Sequence, residues 1–373
     1  MTNKTAKVLL HDASASPKKN RLDKLRSLFE RAGFGRLISA GDRVAVKVHW
    51  GEPGNVGYLH PPYARTVVEM VRDAGGKPFV TDTNTLYVGM RRDAVDNLRA
   101  AALDGYTAET LGAPIIVADG LCGNDWRGVD VPDSLVGQAK IAAAIADADA
   151  MIVLTHVKSH MLFGFGGALK NLGMGCATPA GKQVLHSDLR PRVEPDKCHG
   201  DRICVRRCPE RCIDMVDHNG RQVARIDQER CVGCGECTAA CPHEAIPINW
   251  TTSPDRIFRK TAEYAWAAVQ GKEGKVGYLN MMVTINPDCD CCDWNDVPFA
   301  PDLGMAASVD PVAIDAACMD ILARAPAVPG SKAAGRDAAD TIRAVYDVDY
   351  RQILGFAEKL GLGTSDYRLV KLA

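Results

Sequence analysis

One run of residues constrains this chain more than any other: Cys231-Val-Gly-Cys234-Gly-Glu-Cys237-Thr-Ala-Ala-Cys241-Pro242, a C-x2-C-x2-C-x3-C-P spacing without deviation. Of the 14 cysteines, eight fall between Cys198 and Cys241, where the apolar runs are too short for a conventional core. Disulfide frameworks belong to small secreted domains, whereas clustered C-x2-C spacings in a longer chain point to metal ligation or redox chemistry. Short spacing lets one loop offer three thiolates to three corners of a cube. Gly233 and Gly235 allow the backbone to curl close, and Pro242 redirects the chain after the fourth ligand. Such a run holds a cubane 4Fe-4S cluster. A zinc ion is the competing occupant, though four cysteines this close in sequence cannot easily surround one tetrahedral ion.

A second run, Cys198-His-Gly-Asp201-Arg-Ile-Cys204-Val-Arg-Arg-Cys208-Pro209, keeps the same register with Asp201 at the second ligand position. A carboxylate is a harder donor than a thiolate and holds iron less tightly. Asp201 therefore either ligates a four-iron cluster or leaves a 3Fe-4S one; the bland alternative makes it a surface loop residue. Cys212 reads as packing, with an alternative role as ligand.

Around this segment the chain alternates strands and helices. Lys7–Leu10, Arg43–His49, Lys77–Thr81, Pro114–Val117, Ala150–Thr155 and Val276–Ile285 read as strands. Leu22–Ala32, Pro61–Ala74, Arg91–Leu103, Gln138–Ala146, Pro254–Gln270, Pro311–Ala323 and Tyr350–Leu360 show helical spacing. This alternation predicts an α/β body with a mainly parallel sheet, divided over residues 1–192 and 251–373, with an inserted α+β module at 193–250. An insertion leaves and rejoins its host at nearby points, so Lys170–His186 and Val276–Cys292 are expected to be neighbours. The formal charge of -1 over 373 residues gives no field for nucleic acid, and no apolar run approaches a membrane span. The N-terminal stretch carries no leader pattern, so the expected location is cytoplasmic.

The two cysteine runs resemble the bacterial two-cluster ferredoxin domain, in which the last cysteine of each run serves the other cluster. That resemblance implies one cluster on Cys198, Asp201, Cys204 and Cys241, and a second on Cys231, Cys234, Cys237 and Cys208. Over most of its length the chain also resembles iron-sulfur centre proteins of domain-of-unknown-function family 362 with an inserted ferredoxin domain. The matching pieces are Lys47-Val-His-Trp-Gly-Glu52, Thr81–Tyr87, Thr155-His-Val-Lys-Ser-His160, Gly164–Gly175, Asp288-Cys-Asp-Cys-Cys292 and Ser308–Asp315.

Parallel sheets bind ligands beyond the carboxyl ends of their strands. Lys47 and His49 close one strand, Asp82 and Asn84 follow another, and His156, Lys158 and His160 follow a third; Lys170 and His186 add further cations or proton donors. Together they predict a catalytic crevice. Gly164-x-Gly166-Gly167 before a helix is a candidate anion loop, or only a tight turn. Cys289, Cys291 and Cys292, beside carboxylates, suggest a third metal or cluster, shared with Cys176; a redox-active thiol set is the other functional reading. Cys122 and Cys318 are expected in the core. The expected function is an iron-sulfur oxidoreductase that exchanges electrons with a redox partner protein and a small-molecule substrate. Its rivals are a non-catalytic electron carrier and an iron-sulfur sensor.

Overall fold

The computed structural model describes residues 5–87, 89–248, 250, 252–336 and 339–372. In chain order its strands are β1 (Ala6–His11), β2 (Arg43–Lys47), β3 (Lys77–Asp82), β4 (Ile115–Val117), β5 (Trp126–Asp130), β6 (Gln138–Ala142), β7 (Ala150–His156), β8 (Lys158–His160), β9 (Gly164–Gly166), β10 (Ile213–His218), β11 (Arg221–Ile226), β12 (Val276–Met282), β13 (Gly304–Ser308) and β14 (Tyr367–Lys371). Eight of them form one sheet in the order β14-β1-β13-β12-β7-β2-β3-β4. Its neighbours pair in parallel except on the two sides of β13, which runs against both β1 and β12.

Strands buried on both faces read as continuous apolar runs. β7 and β12 are buried at every position for that reason. Alternate residues of β7 serve opposite cores: Ile152 and Leu154 pack with the helices Arg21–Ala32 and Pro61–Asp73, and Met151 and Val153 pack with Pro254–Ala268 and Pro311–Ala323. The body is therefore a three-layer α/β unit whose mainly parallel sheet is covered on both sides.

Within the cysteine-rich segment, β10 and β11 form an antiparallel hairpin, and the short helices Ile203–Arg207 and Glu236–Ala240 pack together. The cysteines make up half of its small core, alongside Ile213, Ile226 and Ile246. Its two ends are tied by a backbone hydrogen bond from Glu194 N to Ala245 O at 2.7 Å, and Thr252 N donates to His186 O at 3.2 Å. The expected junction between residues 250 and 251 involves Thr251, which lies outside the described residues.

One expected element differs. Gln138–Ala146 is a strand, β6, followed by a single helical turn, because Gln138–Ala142 pairs with Trp126–Asp130 as a hairpin and Ile141 bridges Ala177. Tertiary pairing overrides the helical preference of its alanines. Cys122 is also exposed, while Cys318 is buried as expected.

The helices Ala168–Gly173 and Pro254–Ala268 cross at Gly173, where an added Cβ would lie 2.2 Å from Thr261 O. Backbone cannot yield there as a flexible side chain would. Gly173→Ala should destabilise the protein by about 1–3 kcal/mol, the usual cost of overpacking. Denaturant unfolding of wild type and variant measures this; a difference within error would mean that the two helices can separate freely.

Candidate active site

The body's parallel strands end at a cavity of about 410 Å³. His49 lies two residues beyond β2, Asp82 ends β3, and His156 ends β7. All three line the cavity, with Lys158 and His160 from β8, Lys170 and His186 from two helices, and Cys289, Cys291 and Cys292 from the loop after β12. The sequence-predicted Lys/His set thus converges on one space, with one exception. Lys47 is wholly buried beneath it, where Nζ meets Asp82 Oδ1 and Asn171 Oδ1 at 2.8 Å each and Val48 O at 2.9 Å. Asn84 also turns away, donating to Asp119 Oδ1 at 3.1 Å and Gly120 O at 2.9 Å.

Most of the charge in this wall is compensated in pairs. Asp290 accepts from His156 Nδ1 at 3.0 Å and pairs with Lys158 Nζ at 2.6 Å. Burial would raise its pKa, but His156 and Lys158 overcome that and hold it below the ordinary carboxylate range. Burial works against the Lys158 ammonium too, yet Asp290 and the nearby thiols raise its pKa. Arg91 lies 3.2 Å from Glu52 and 3.5 Å from Asp82. Burial, with the Arg91 charge, lowers His49 to about 3; burial and His160 do the same for His186, whose ring meets Trp250 at 4.6 Å. Lys170 has no ion-pair partner among the described residues: its Nζ lies 3.7 Å from Cys289 Sγ and 5.2 Å from the centre of the Phe163 ring.

Gly166 and Gly167 of the glycine loop line the cavity, but the helix that follows does not leave its first amides open. N–H groups of Ala168 and Leu169, at the start of the following helix, donate to the buried Asp315 carboxylate at 2.8 and 2.9 Å. This chain supplies its own anion there. Cys176 likewise stands apart from the Cys289 loop: it is buried in the larger core, its thiol 3.8 Å from Asn171 O, and burial pushes its pKa up to about 11. Sequence reasoning missed Arg91 and Lys182. Lys182 and His186 stand four apart on the helix Pro179–His186, a spacing that puts both on one face and was a legible signal.

In the cysteine-rich segment, Cys208, Cys231, Cys234 and Cys237 surround one recess, joined by Cys212, whose Sγ lies 3.4 Å from that of Cys208. A second neighbourhood holds Cys198, Asp201 and Cys241, since His199 and His243, next to the first cysteine and near the last, stack on each other and Asp201 pairs with His243; burial raises Cys204, in the same small core, to about 11. Backbone N–H groups face sulfur at both: Cys212 N to Cys208 Sγ and Ala224 N to Cys198 Sγ, each 3.4 Å. Convergent thiols with amide donors are the donor set an iron-sulfur cluster takes, and these residues fit it. Asp201 differs from the thiols, its carboxylate accepting from Ile203 N at 2.9 Å and lying 3.1 Å from His243 Nε2, itself stacked on His199.

The segment is seated on the cavity wall. Gly235 has a φ of +77°, and an added Cβ would meet Gln183 Cβ at 2.7 Å and Ala180 O at 2.8 Å, so only glycine permits this approach to the helix Pro179–His186. Lys140 Nζ reaches Cys234 O at 3.1 Å and Glu236 Oε1 at 2.7 Å, and Arg92 donates to Cys241 O.

Both lowered histidines carry a pH signature. Their unfolded pKa is near 6.5 and their folded value about 3, so on acidification the unfolded chain binds protons that the folded rings refuse. Stability from this source is complete above pH 6.5 and falls as the pH drops, by up to about 2 kcal/mol for each ring at pH 5. Both rings keep some solvent contact, which makes that figure an upper bound. His49→Gln and His186→Gln should each lose less thermal stability than wild type between pH 7 and pH 5; parallel curves would contradict the assignment.

Among known proteins, a thylakoid-associated protein of Synechocystis is 30% identical over 173 residues, 45% of this chain and 49% of its own length. This chain thus spans about half of that curated relative. The pyruvate synthase subunit PorD of Methanothermobacter marburgensis is 40% identical over 61 residues, 16% of this chain and 67% of its own. The lactate racemase apoprotein of Thermoanaerobacterium thermosaccharolyticum aligns with a TM-score of 0.39 and 11% identity, covering 76% of this chain and 52% of its own. Among the described residues no helix is long and apolar enough to cross a membrane. Residues 44–320 match the Domain of unknown function (DUF362), and the chain belongs to that family.

Proposed function

We propose that this protein is an iron-sulfur oxidoreductase whose body holds a substrate or cofactor in the cavity, beside two ferredoxin-type clusters held by the inserted module. Cys198, Asp201, Cys204 and Cys241 would hold one cluster, and Cys231, Cys234, Cys237 and Cys208 the other. Bound there, the clusters supply one-electron transfer at low potential. The observation that carries this reading is the shared helix: Pro179–His186 lines the cavity with Lys182 and His186 and receives Gly235 of the second cysteine run. Similarity to PorD, and over 52 residues at 39% identity to one component of an ion-translocating oxidoreductase complex of Methanosarcina acetivorans, supports an exchange of electrons with a partner protein.

The cavity residues indicate what is bound. Lys170, free of ion pairs among the described residues, suits an anionic group, and the apolar Leu86, Met161, Leu162 and Met174 suit a hydrocarbon portion. Lys158 stays charged and stabilises negative charge that develops on a ligand taking up electrons. His49 and His186, held neutral, orient it as hydrogen-bond partners. A simple carrier has no use for such a cavity, which favours an enzyme.

Anaerobic protein should hold about seven or eight irons on the ferredoxin cysteines, as the cluster stoichiometry requires. Cys234→Ala should abolish electron uptake at the second cluster, read by electron paramagnetic resonance after reduction, with far-UV dichroism of the body preserved because an inserted module can fail locally. Collapse of the whole fold would make the clusters structural and sink the reading.

A carboxylate-bound iron corner should be exchangeable. Mild oxidation should therefore convert the Asp201 cluster to a three-iron form, and Asp201→Cys should suppress that conversion. Identical spectra from both proteins would place Asp201 away from iron, as a partner of His243 only.

A further inference from the structure

We propose that His160, Cys289 and Cys291 form a metal site, separate from the ferredoxin cysteines, whose free coordination position opens into the cavity. One ligand atom from each lies within 4.8 Å of the other two. Donors round a single zinc-like ion, at about 2.0–2.3 Å from the metal, stand at comparable or shorter separations from one another. All three residues line the cavity.

The loop that presents the two thiols is fastened on alternate residues. Asp288 holds Lys332 at 2.8 Å, and Asp290 holds Lys158 and His156 at 2.6 and 3.0 Å, so the carboxylates face partners in the body while Cys289 and Cys291 face the cavity. This is outer-shell fixation of the kind that metal ligands need. Lys170, 3.7 Å from Cys289 Sγ, offsets negative charge on the thiolates. Cys292 stands beside Cys291 but outside the three-atom group. Three protein ligands with an open place form the pattern of a catalytic metal, and two thiolates with an imidazole select zinc or ferrous iron over magnesium or calcium. The ligand that completes the site is then one with a donor atom of its own, such as a carboxylate, carbonyl or thiol. The inference is independent of how the ferredoxin module is loaded.

The test uses anaerobic protein with its clusters in place. Zinc and iron per chain are measured, before and after addition of zinc alone, in wild type, Cys289→Ser/Cys291→Ser and His160→Ala; Cys122→Ser serves as an exposed-thiol control. Wild type and control should hold one ion more than the double variant. Where the extra ion is zinc, X-ray absorption at the zinc edge should show two sulfur neighbours and one imidazole. His160→Ala should lose the imidazole signal and weaken retention against a chelator by more than about tenfold, since even outer-shell partners are worth that much. Iron as the extra ion supports the site equally. Equal zinc and iron contents in all four proteins overturn it, as does an absorption spectrum unchanged in His160→Ala, which stands whether or not the double variant folds.

Discussion

A lysine with no solvent contact governs the architecture of the site. Lys47 Nζ, at the end of β2, is enclosed by Asp82, Asn171 and the Val48 carbonyl. An ammonium in such surroundings is tolerated only when paired, and Asp82 in turn lies within reach of Arg91, which extends to Glu52. Each charge is placed by the one before it. Replacing a buried ion network by apolar residues is often neutral or stabilising, so its presence here is poor evidence of a need for stability. It fixes the carboxyl ends of β2 and β3 in one register, and the cavity floor follows from that register.

The second consequence concerns the wall opposite. His156, Lys158 and Asp290 tie β7, β8 and the cysteine loop after β12 into one polar unit. Because Asp290 is satisfied from the body, its neighbours Cys289 and Cys291 are directed to the cavity. The helix Pro179–His186 closes the remaining side and takes the inserted module on its back. Two structures with separate cores thus share a single helix between them.

Much of this was legible. Cys231–Pro242 announced itself by spacing, and the apolar run Ala150–Thr155 reads as a covered parallel strand without further help. Lys/His residues just past strand ends pointed to the cavity because a parallel sheet leaves its ligand crevice there. Other features depend on space that a sequence does not display. β13, Gly304-Met-Ala-Ala-Ser308, has no β-branched residue and is a strand only because β1 and β12 flank it. Lys47 looks like any strand-end cation until Asn171 covers it. Cys176 is nearer in sequence to Cys289 than His160 is, but it points into the core while β8 carries His160 to the loop.

Sheet order also sets a timetable for synthesis. β1 is made first, yet its sheet partners are β13 and β14, and β13 must itself lie beside β12. On the ribosome the first strand therefore waits for nearly the whole chain before it can be paired. The hairpin pairs within itself and the two short helices pack on each other, contacts that span only a few tens of residues, with both ends tied at Glu194 and Ala245. Local contacts form faster than distant ones. The inserted module is thus expected to fold while the body around it is still an open half-sheet, so its cysteines come together before the cavity closes.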